Sequence, residues 1–172
     1  LKNLIDVDVK MADIEITGIT CDSRKVQNGS IFVCIKGFKS DGHDFAKTAL
    51  EKGAAVIITE RDLGITNQII VEDSHAAFAD LSAAWFQNPA KDLKLIGVTG
   101  TNGKTSVTYM LKKILETAGY KVGLVGTIQN MICDEIVPTE NTTPNAYDLN
   151  ALFADMRNKG CEYVIMEVSS HA

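Results

Sequence analysis

Lys94-Leu95-Ile96-Gly97-Val98-Thr99-Gly100-Thr101-Asn102-Gly103-Lys104-Thr105-Ser106 is the stretch on which the reading of this chain turns. Lys94 to Val98 is short and apolar, as a buried strand is. From Thr105 to Ala118, residues Val107, Met110, Leu111, Ile114, Leu115 and Ala118 recur at helical spacing, and Gly119 stops the helix. Between strand and helix lies a glycine-rich turn. Glycines let the backbone curl so that successive N–H groups point inward at phosphate oxygens, and the helix N-terminus adds its positive end. Lys104 in the first helical turn can bridge β- and γ-phosphates, and the Thr105 hydroxyl can ligate Mg²⁺. The turn therefore points to a nucleoside triphosphate, with Gly100, Thr101, Asn102, Gly103, Lys104, Thr105 and Ser106 as the binding residues. One departure stands out. The usual phosphate loop has a glycine five residues before Gly103, where this chain has Val98. A dinucleotide G-x-G-x-x-G also fails, because Val98 and Thr99 occupy the positions that would need glycine.

Outward from the loop, strand and helix alternate. Lys121 to Val125 reads as the next strand. Asn145 to Lys159 reads as a helix capped by Thr143, with Pro144 at its first position, and Gly160 ends it. Tyr163 to Val168 is a third apolar strand. Such alternation predicts an α/β fold with a parallel, doubly wound sheet whose ligands sit at the C-terminal strand ends. Glu167 falls at that edge. A carboxylate there holds Mg²⁺ directly or through water, or it is simply a solvated strand-end glutamate. His171 is a second ligand or proton handler, or an exposed histidine near the end of the sequence. Asn141, Thr142 and Thr143 offer an amide and hydroxyls beside a helix N-terminus. Capping explains Thr143 but not its two neighbours.

The first half reads as a small mixed α/β unit. Strands are expected at Ser30–Lys36, Ala54–Thr59 and Gln68–Val71. Helices are expected from Asp44 to Lys52 and from an Asp73 or Ser74 cap through Phe78, Leu81 and Trp85 to the stop at Asn88-Pro89. A boundary is expected near Pro89 to Leu93, giving domains 1–90 and 91–172. Across all 172 residues the net charge of −5 argues against a nucleic-acid or anionic-membrane surface. No apolar run approaches the roughly 20 residues of a membrane span, and Lys2, Asp6, Asp8 and Lys10 break up any signal-like segment. The four cysteines (Cys21, Cys34, Cys133, Cys161) are widely spaced and fit reduced, structural thiols of a cytoplasmic protein. A start at Leu and a stop straight after a strand read as a fragment.

Gly97 to Ser106 resembles the ATP loop of the Mur ligases, whose shortened G-T-N-G-K-T form accounts for Val98. The resemblance runs along the whole chain. Asp22-Ser23-Arg24, Gly29 to Val33 and Gly37-Phe38-Lys39-Ser40-Asp41-Gly42-His43 resemble the uridine-nucleotide domain of the branch that adds the third peptide residue. Asn141-Thr142-Thr143-Pro144 and Glu167-Val168-Ser169-Ser170-His171-Ala172 do likewise. The resemblance implies an ATP-dependent carboxylate–amine ligase of peptidoglycan precursor synthesis. It implies ATP and Mg²⁺ as cofactors, with UDP-MurNAc-L-Ala-D-Glu and a diamino acid as substrates, in a cytoplasmic monomer. Thr105 and Glu167 would surround Mg²⁺, and Lys104, Glu167 and His171 would be catalytic. Cys21, Ser23, Phe38, Lys39 and Ser40 would contact the UDP part, and Asn141, Thr142, Thr143 and Ser169 the muramoyl-peptide. It also implies that a modified lysine, the adenine contacts and a C-terminal amino-acid-selecting domain lie outside these residues. The chain alone would then be inactive.

Other readings are also compatible with parts of the sequence. The ligase that adds D-Ala-D-Ala has a similar D-S/T-R and G-x-x-x-D-G-H-x-F first domain, though N-T-T-P and E-V-S-S-H-A favour the third-residue branch. A non-catalytic UDP-sugar or nucleotide binding module is the alternative from another class. A folate-type polyglutamate ligase shares the loop without needing the first domain. A generic phosphate-loop kinase or GTPase is disfavoured by Val98.

Overall fold

The computed structural model describes residues 14–37, 40–138 and 144–168. The chain divides into two compact units, Leu1–Ala84 and Trp85–Ala172.

In the first unit, strands β1 (Gly18–Thr20), β2 (Ser30–Val33), β3 (Val56–Thr59) and β4 (Gln68–Ile70) form a parallel sheet in that order. β2 and β3 are buried on both faces, which is why they read as unbroken β-branched and aromatic runs rather than alternating ones. Helix α1 (Ala46–Glu51) joins β2 to β3, and α2 (Ser74–Trp85) follows β4. Phe32, Cys34 and Ile57 pack with Ala46 and Ala49 of α1 and with Val26 and Ala54. Asp73 caps α2 by accepting the His75 and Ala76 N–H groups at 2.8 and 3.0 Å.

Three expectations change here. The strand from Ser30 stops at Val33, and Lys36 instead pairs with Asp41 in an isolated antiparallel bridge as the chain doubles back. The helix expected from Asp44 opens as a tighter 3₁₀ turn over Gly42–Phe45, capped by Asp41. Helix α2 ends at Trp85, before Pro89 can act, because Gln87 and Asn88 both adopt left-handed backbone (φ 61° and 52°).

The second unit carries β5 (Lys94–Val98), α3 (Lys104–Thr117), β6 (Val122–Val125), β7 (Asn130–Ile132), β8 (Glu135–Val137), α4 (Ala146–Asn158) and β9 (Tyr163–Glu167). Strand order is β5-β9-β6-β7-β8. The first three strands are parallel, and β7 and β8 extend the sheet as an antiparallel meander. The parallel α/β core is as expected. The hairpin was not legible, because its strands are three residues long and its turn, Cys133-Asp134, lacks the usual glycine. Alternate residues of the central strands face opposite helices. Val122, Leu124 and Ile165 pack with Tyr109, Leu111 and Leu115 of α3, whereas Val125 and Val164 pack with Leu152, Phe153 and Met156 of α4.

The apolar face expected for α3 is split. Leu111 and Leu115 face the sheet, but Met110, Ile114 and Val107 are exposed, and Thr108 and Lys112 are buried in their place. The sheet contact is rotated relative to the apolar stripe, and Lys112 is accommodated because its ammonium pairs with Glu116 one turn on. The start of α4 also differs. Asn145 is its cap, accepting the Asp148 N–H at 3.0 Å, so Pro144 precedes the cap rather than opening the helix.

Candidate functional site

Three parallel strands deliver their C-terminal ends to one edge of the second unit. In register, Val98 of β5 lies beside Glu167 of β9, and Val125 of β6 lies beside Met166. The Val168 N–H continues the pairing by donating to the Val98 carbonyl at 2.9 Å. The loop after β5 and the turn after β6 therefore flank the end of the central strand β9. This is the crevice where open α/β sheets bind ligands.

Gly100 (φ 141°) and Gly103 (φ 81°) take backbone conformations that side chains resist, which is the local reason for glycine at both. Gly103 caps α3 without any side-chain bond to the first-turn N–H groups. Those donors are left for an anion, at the positive end of a 14-residue helix. Thr101, Asn102 and Ser106 are exposed around this opening, and Lys104 and Thr105 are half-buried. The Lys104 ammonium folds back to donate to the Gly100 carbonyl at 2.8 Å, which leaves two of its three donors for phosphate. The Thr105 hydroxyl donates to Glu167 Oε2 at 3.2 Å across a sequence separation of 62 residues. The two residues expected from sequence to share a magnesium ion are thus in contact.

Two residues at this edge escaped the sequence reading. Thr127 donates its N–H to Glu167 Oε1 at 3.3 Å and its hydroxyl to Oε2 at 3.0 Å. Gly126 makes room for that contact, since a Cβ there would lie 3.2 Å from the same Oε1. The signal was present: Gly126-Thr127 follows an apolar strand directly, at the edge where the ligand was expected. Among the described residues, no group of three or more His, Cys, Asp or Glu is placed to hold a metal. A hydroxyl and one carboxylate, both hard oxygen donors, instead fit Mg²⁺, which usually takes one or two protein oxygens and completes its shell with phosphate and water.

In the first unit, β1 and β2 run parallel, so the segments that follow them leave the same sheet edge. Asp22 accepts the Arg24 Nε and Nη2 groups at 2.9 and 2.8 Å, and this guanidinium holds the Asp22 carboxyl down to about 2. The Ser23 carbonyl accepts Lys52 Nζ at 2.7 Å, and Cys21 is half-buried. The exposed Ser40 uses its carbonyl to accept the Gly37 N–H at 3.0 Å. Three residues on from Ser40, His43 is buried and bonded on both ring nitrogens. Nε2 accepts the Glu60 N–H at 3.1 Å, so Nδ1 carries the proton and faces Asp41 Oδ1 at 2.5 Å. The bonds from the His43 backbone and ring pull the Asp41 carboxyl down to about 2, and Arg61 reaches its other oxygen at 3.2 Å. Phe38, Lys39, Asn141, Thr142, Thr143, Ser169 and His171 lie outside the described residues.

Comparison with known proteins supplies relatives for both units. Residues 15–89 match the family described as "Mur ligase family, catalytic domain", and residues 98–172 match "Mur ligase middle domain". The UDP-N-acetylmuramoyl-L-alanyl-D-glutamate–2,6-diaminopimelate ligase of Caldanaerobacter subterraneus subsp. tengcongensis is 51% identical over 164 residues, covering 93% of this chain and 34% of the relative. A solved structure of a ligase with that same name superposes with a TM-score of 0.78 at 30% identity, covering 94% of this chain and 35% of the other. The MurF ligase of Thermotoga maritima in complex with ADP superposes less closely, with a TM-score of 0.60 at 28% identity, covering 93% and 34%. The chain spans about a third of the length of the curated relatives it matches.

Proposed function

This chain belongs to the Mur ligase family, and from that premise we propose that it is the nucleotide-binding part of the ligase that adds a diamino acid to UDP-MurNAc-L-Ala-D-Glu. The observation that carries the proposal is the Thr105–Glu167 contact at the mouth of the phosphate loop. It joins a helix N-terminus open to anions with a carboxylate suited to the accompanying cation. The names of the relatives support 2,6-diaminopimelate as the diamino acid.

A free carboxylate is a poor acyl donor, because its oxygen is a poor leaving group. In the proposed reaction the γ-phosphoryl group of ATP passes to the D-Glu carboxylate, releasing ADP and leaving an acyl phosphate. The incoming amine then attacks the acyl carbon, inorganic phosphate departs with the C–O bonding pair, and an amide remains. The first-turn N–H groups of α3 and the Lys104 ammonium orient the phosphates and offset their charge. Thr105 and Glu167 would hold Mg²⁺, which when bound neutralises charge on the transferring group. The first unit would hold the UDP end through Cys21, Ser23 and the segment around Phe38, Lys39 and Ser40. Asn141, Thr142, Thr143 and Ser169 would face the peptide, and His171 would serve beside Glu167. The domains would divide accordingly, 1–90 for the UDP substrate and 91–172 for ATP.

The runner-up, addition of D-Ala-D-Ala, is favoured by the MurF-like neighbour but at a lower TM-score. Titrating UDP-MurNAc-L-Ala-D-Glu and the corresponding UDP-MurNAc-tripeptide separately into the chain distinguishes the two. Tighter binding of the dipeptide form is expected, and preference for the tripeptide form would transfer the assignment to the runner-up. Since the chain spans a third of its relatives, we also propose that turnover needs residues beyond these 172. ATP-dependent amide formation by the purified chain would overturn that.

A further inference from the structure

Glu167 accepts three hydrogen bonds, and two of them come from a residue outside the phosphate loop. A glutamate side chain turns about three bonds, so a carboxylate at a strand end does not hold one orientation unaided. Here Thr127 contacts both of its oxygens, through backbone N–H on Oε1 and hydroxyl on Oε2. Oε2 is then the oxygen that also meets the Thr105 hydroxyl. Thr127 itself is set in place, because the preceding Gly126 N–H donates to the side-chain oxygen of the buried Asn130 at 3.3 Å. Gly126 is crowded by the arrangement, with Glu167 Oε1 and the Gln129 carbonyl each 3.2 Å from where a Cβ would stand.

We propose that Thr127 is a positioning residue for the magnesium end of the site: it fixes the plane of the Glu167 carboxylate so that Oε2 faces Thr105 before any cation arrives. This rests on the reading of Thr105 and Glu167 as the magnesium-holding pair. Three donors on a carboxylate with about four lone-pair positions leave acceptor capacity for a cation or its water, and the Thr105 oxygen keeps its own lone pairs while donating. Residues that orient a ligand in this way act on metal affinity rather than on fold. Thr127 is exposed and lies outside the core, so its replacement leaves the packing of β6 and β9 in place.

The test is equilibrium titration of ATP into the 172-residue chain, once with excess Mg²⁺ and once with EDTA, alongside thermal unfolding. Thr127→Val keeps the branched shape and loses the hydroxyl, and Thr127→Ser restores it. The tightening of ATP binding by Mg²⁺ is expected to fall roughly tenfold in Thr127→Val and to return to within about twofold of the unmutated chain in Thr127→Ser. Metal-free binding and the unfolding temperature should stay put. An unchanged magnesium effect in Thr127→Val overturns the proposal, as do equal losses with and without metal, which would mark a purely structural role. Failure of the unmutated chain to bind ATP at millimolar concentration overturns the nucleotide reading itself, and with it this inference.

Discussion

Gly42→Ala is the substitution whose cost the structure fixes most tightly. A Cβ at Gly42 would stand 2.6 Å from the Ile35 nitrogen and 2.7 Å from its oxygen, with the Cys34 carbonyl carbon at 3.1 Å. These are backbone atoms, and they cannot rotate away. Heavy atoms normally rest at about 3.5–4.0 Å, so the chain at Gly42 must retreat by roughly 0.8 Å. Overpacking of this kind costs about 1–3 kcal/mol. Retreat also stretches the Gly42 N–H bond to the Ile35 carbonyl, now 2.9 Å, worth about 1 kcal/mol. It further pulls the buried His43 off its partners at 2.5 and 3.1 Å, and a buried group left unpaired costs about 1–3 kcal/mol. The sum is about 3–7 kcal/mol. With a urea slope of about 2 kcal/mol/M, the midpoint of unfolding should drop by about 2.5 M. Urea denaturation followed by circular dichroism reads this directly. Gly18→Ala is the control, because nothing lies within 4 Å of its Cβ position, and its midpoint should barely move. A shift below about 0.5 M for Gly42→Ala would refute the packing argument.

Acid should unfold the first unit through its paired carboxylates. Asp22 and Asp41 are both held at about 2, below the ordinary 3.8, so the stability they contribute is complete above pH 4 and lost as pH falls toward 2. Asp41→Asn should flatten that acid limb of the stability curve, and an unchanged limb would contradict the assignment. Cys133 and Cys161 hold their sulfurs 3.9 Å apart, and burial, with Cys133 alongside, lifts the Cys161 thiol to about 11. Diamide should therefore take two hydrogens from this pair and join it faster at pH 9 than at pH 7, seen by peptide mapping without reductant; cross-linking of other cysteines instead would count against it. The loop so closed spans 28 residues, and by chain entropy its oxidation should stabilise the second unit by up to about 3.6 kcal/mol.

The parallel β5-β9-β6 frame was legible because each of its strands is an apolar run bounded by glycine or by a helix with clear periodicity. The phosphate loop was legible for a different reason: Gly100, Gly103, Lys104 and Thr105 encode a backbone shape and a charge that depend little on the rest of the fold. Glu167 could be placed at the right edge by counting along β9. That Thr105 touches it follows only from the register Val98–Glu167, which the sequence does not state. Three of the short elements escaped. β1, β7 and β8 have three residues each, too few for a period to show. The buried face of α3 was misjudged because Val107, Met110 and Ile114 form an apolar stripe as good as the one actually used. Thr127 was missed because its role depends on two strands, distant in sequence, ending side by side.

In the proposed function the loop from Gly100 to Ser106 binds the phosphates of ATP with Lys104 and a magnesium ion at Thr105 and Glu167. Calorimetric titration of Mg-ATP into the unmutated chain and into Lys104→Ala tests it most directly. Hydrogen bonds to charged groups are worth about 1.5–3 kcal/mol, so Lys104→Ala should weaken binding roughly tenfold to a hundredfold while UDP-MurNAc-L-Ala-D-Glu binds unchanged. Equal affinity of both proteins for Mg-ATP, or no binding by the unmutated chain, would contradict it.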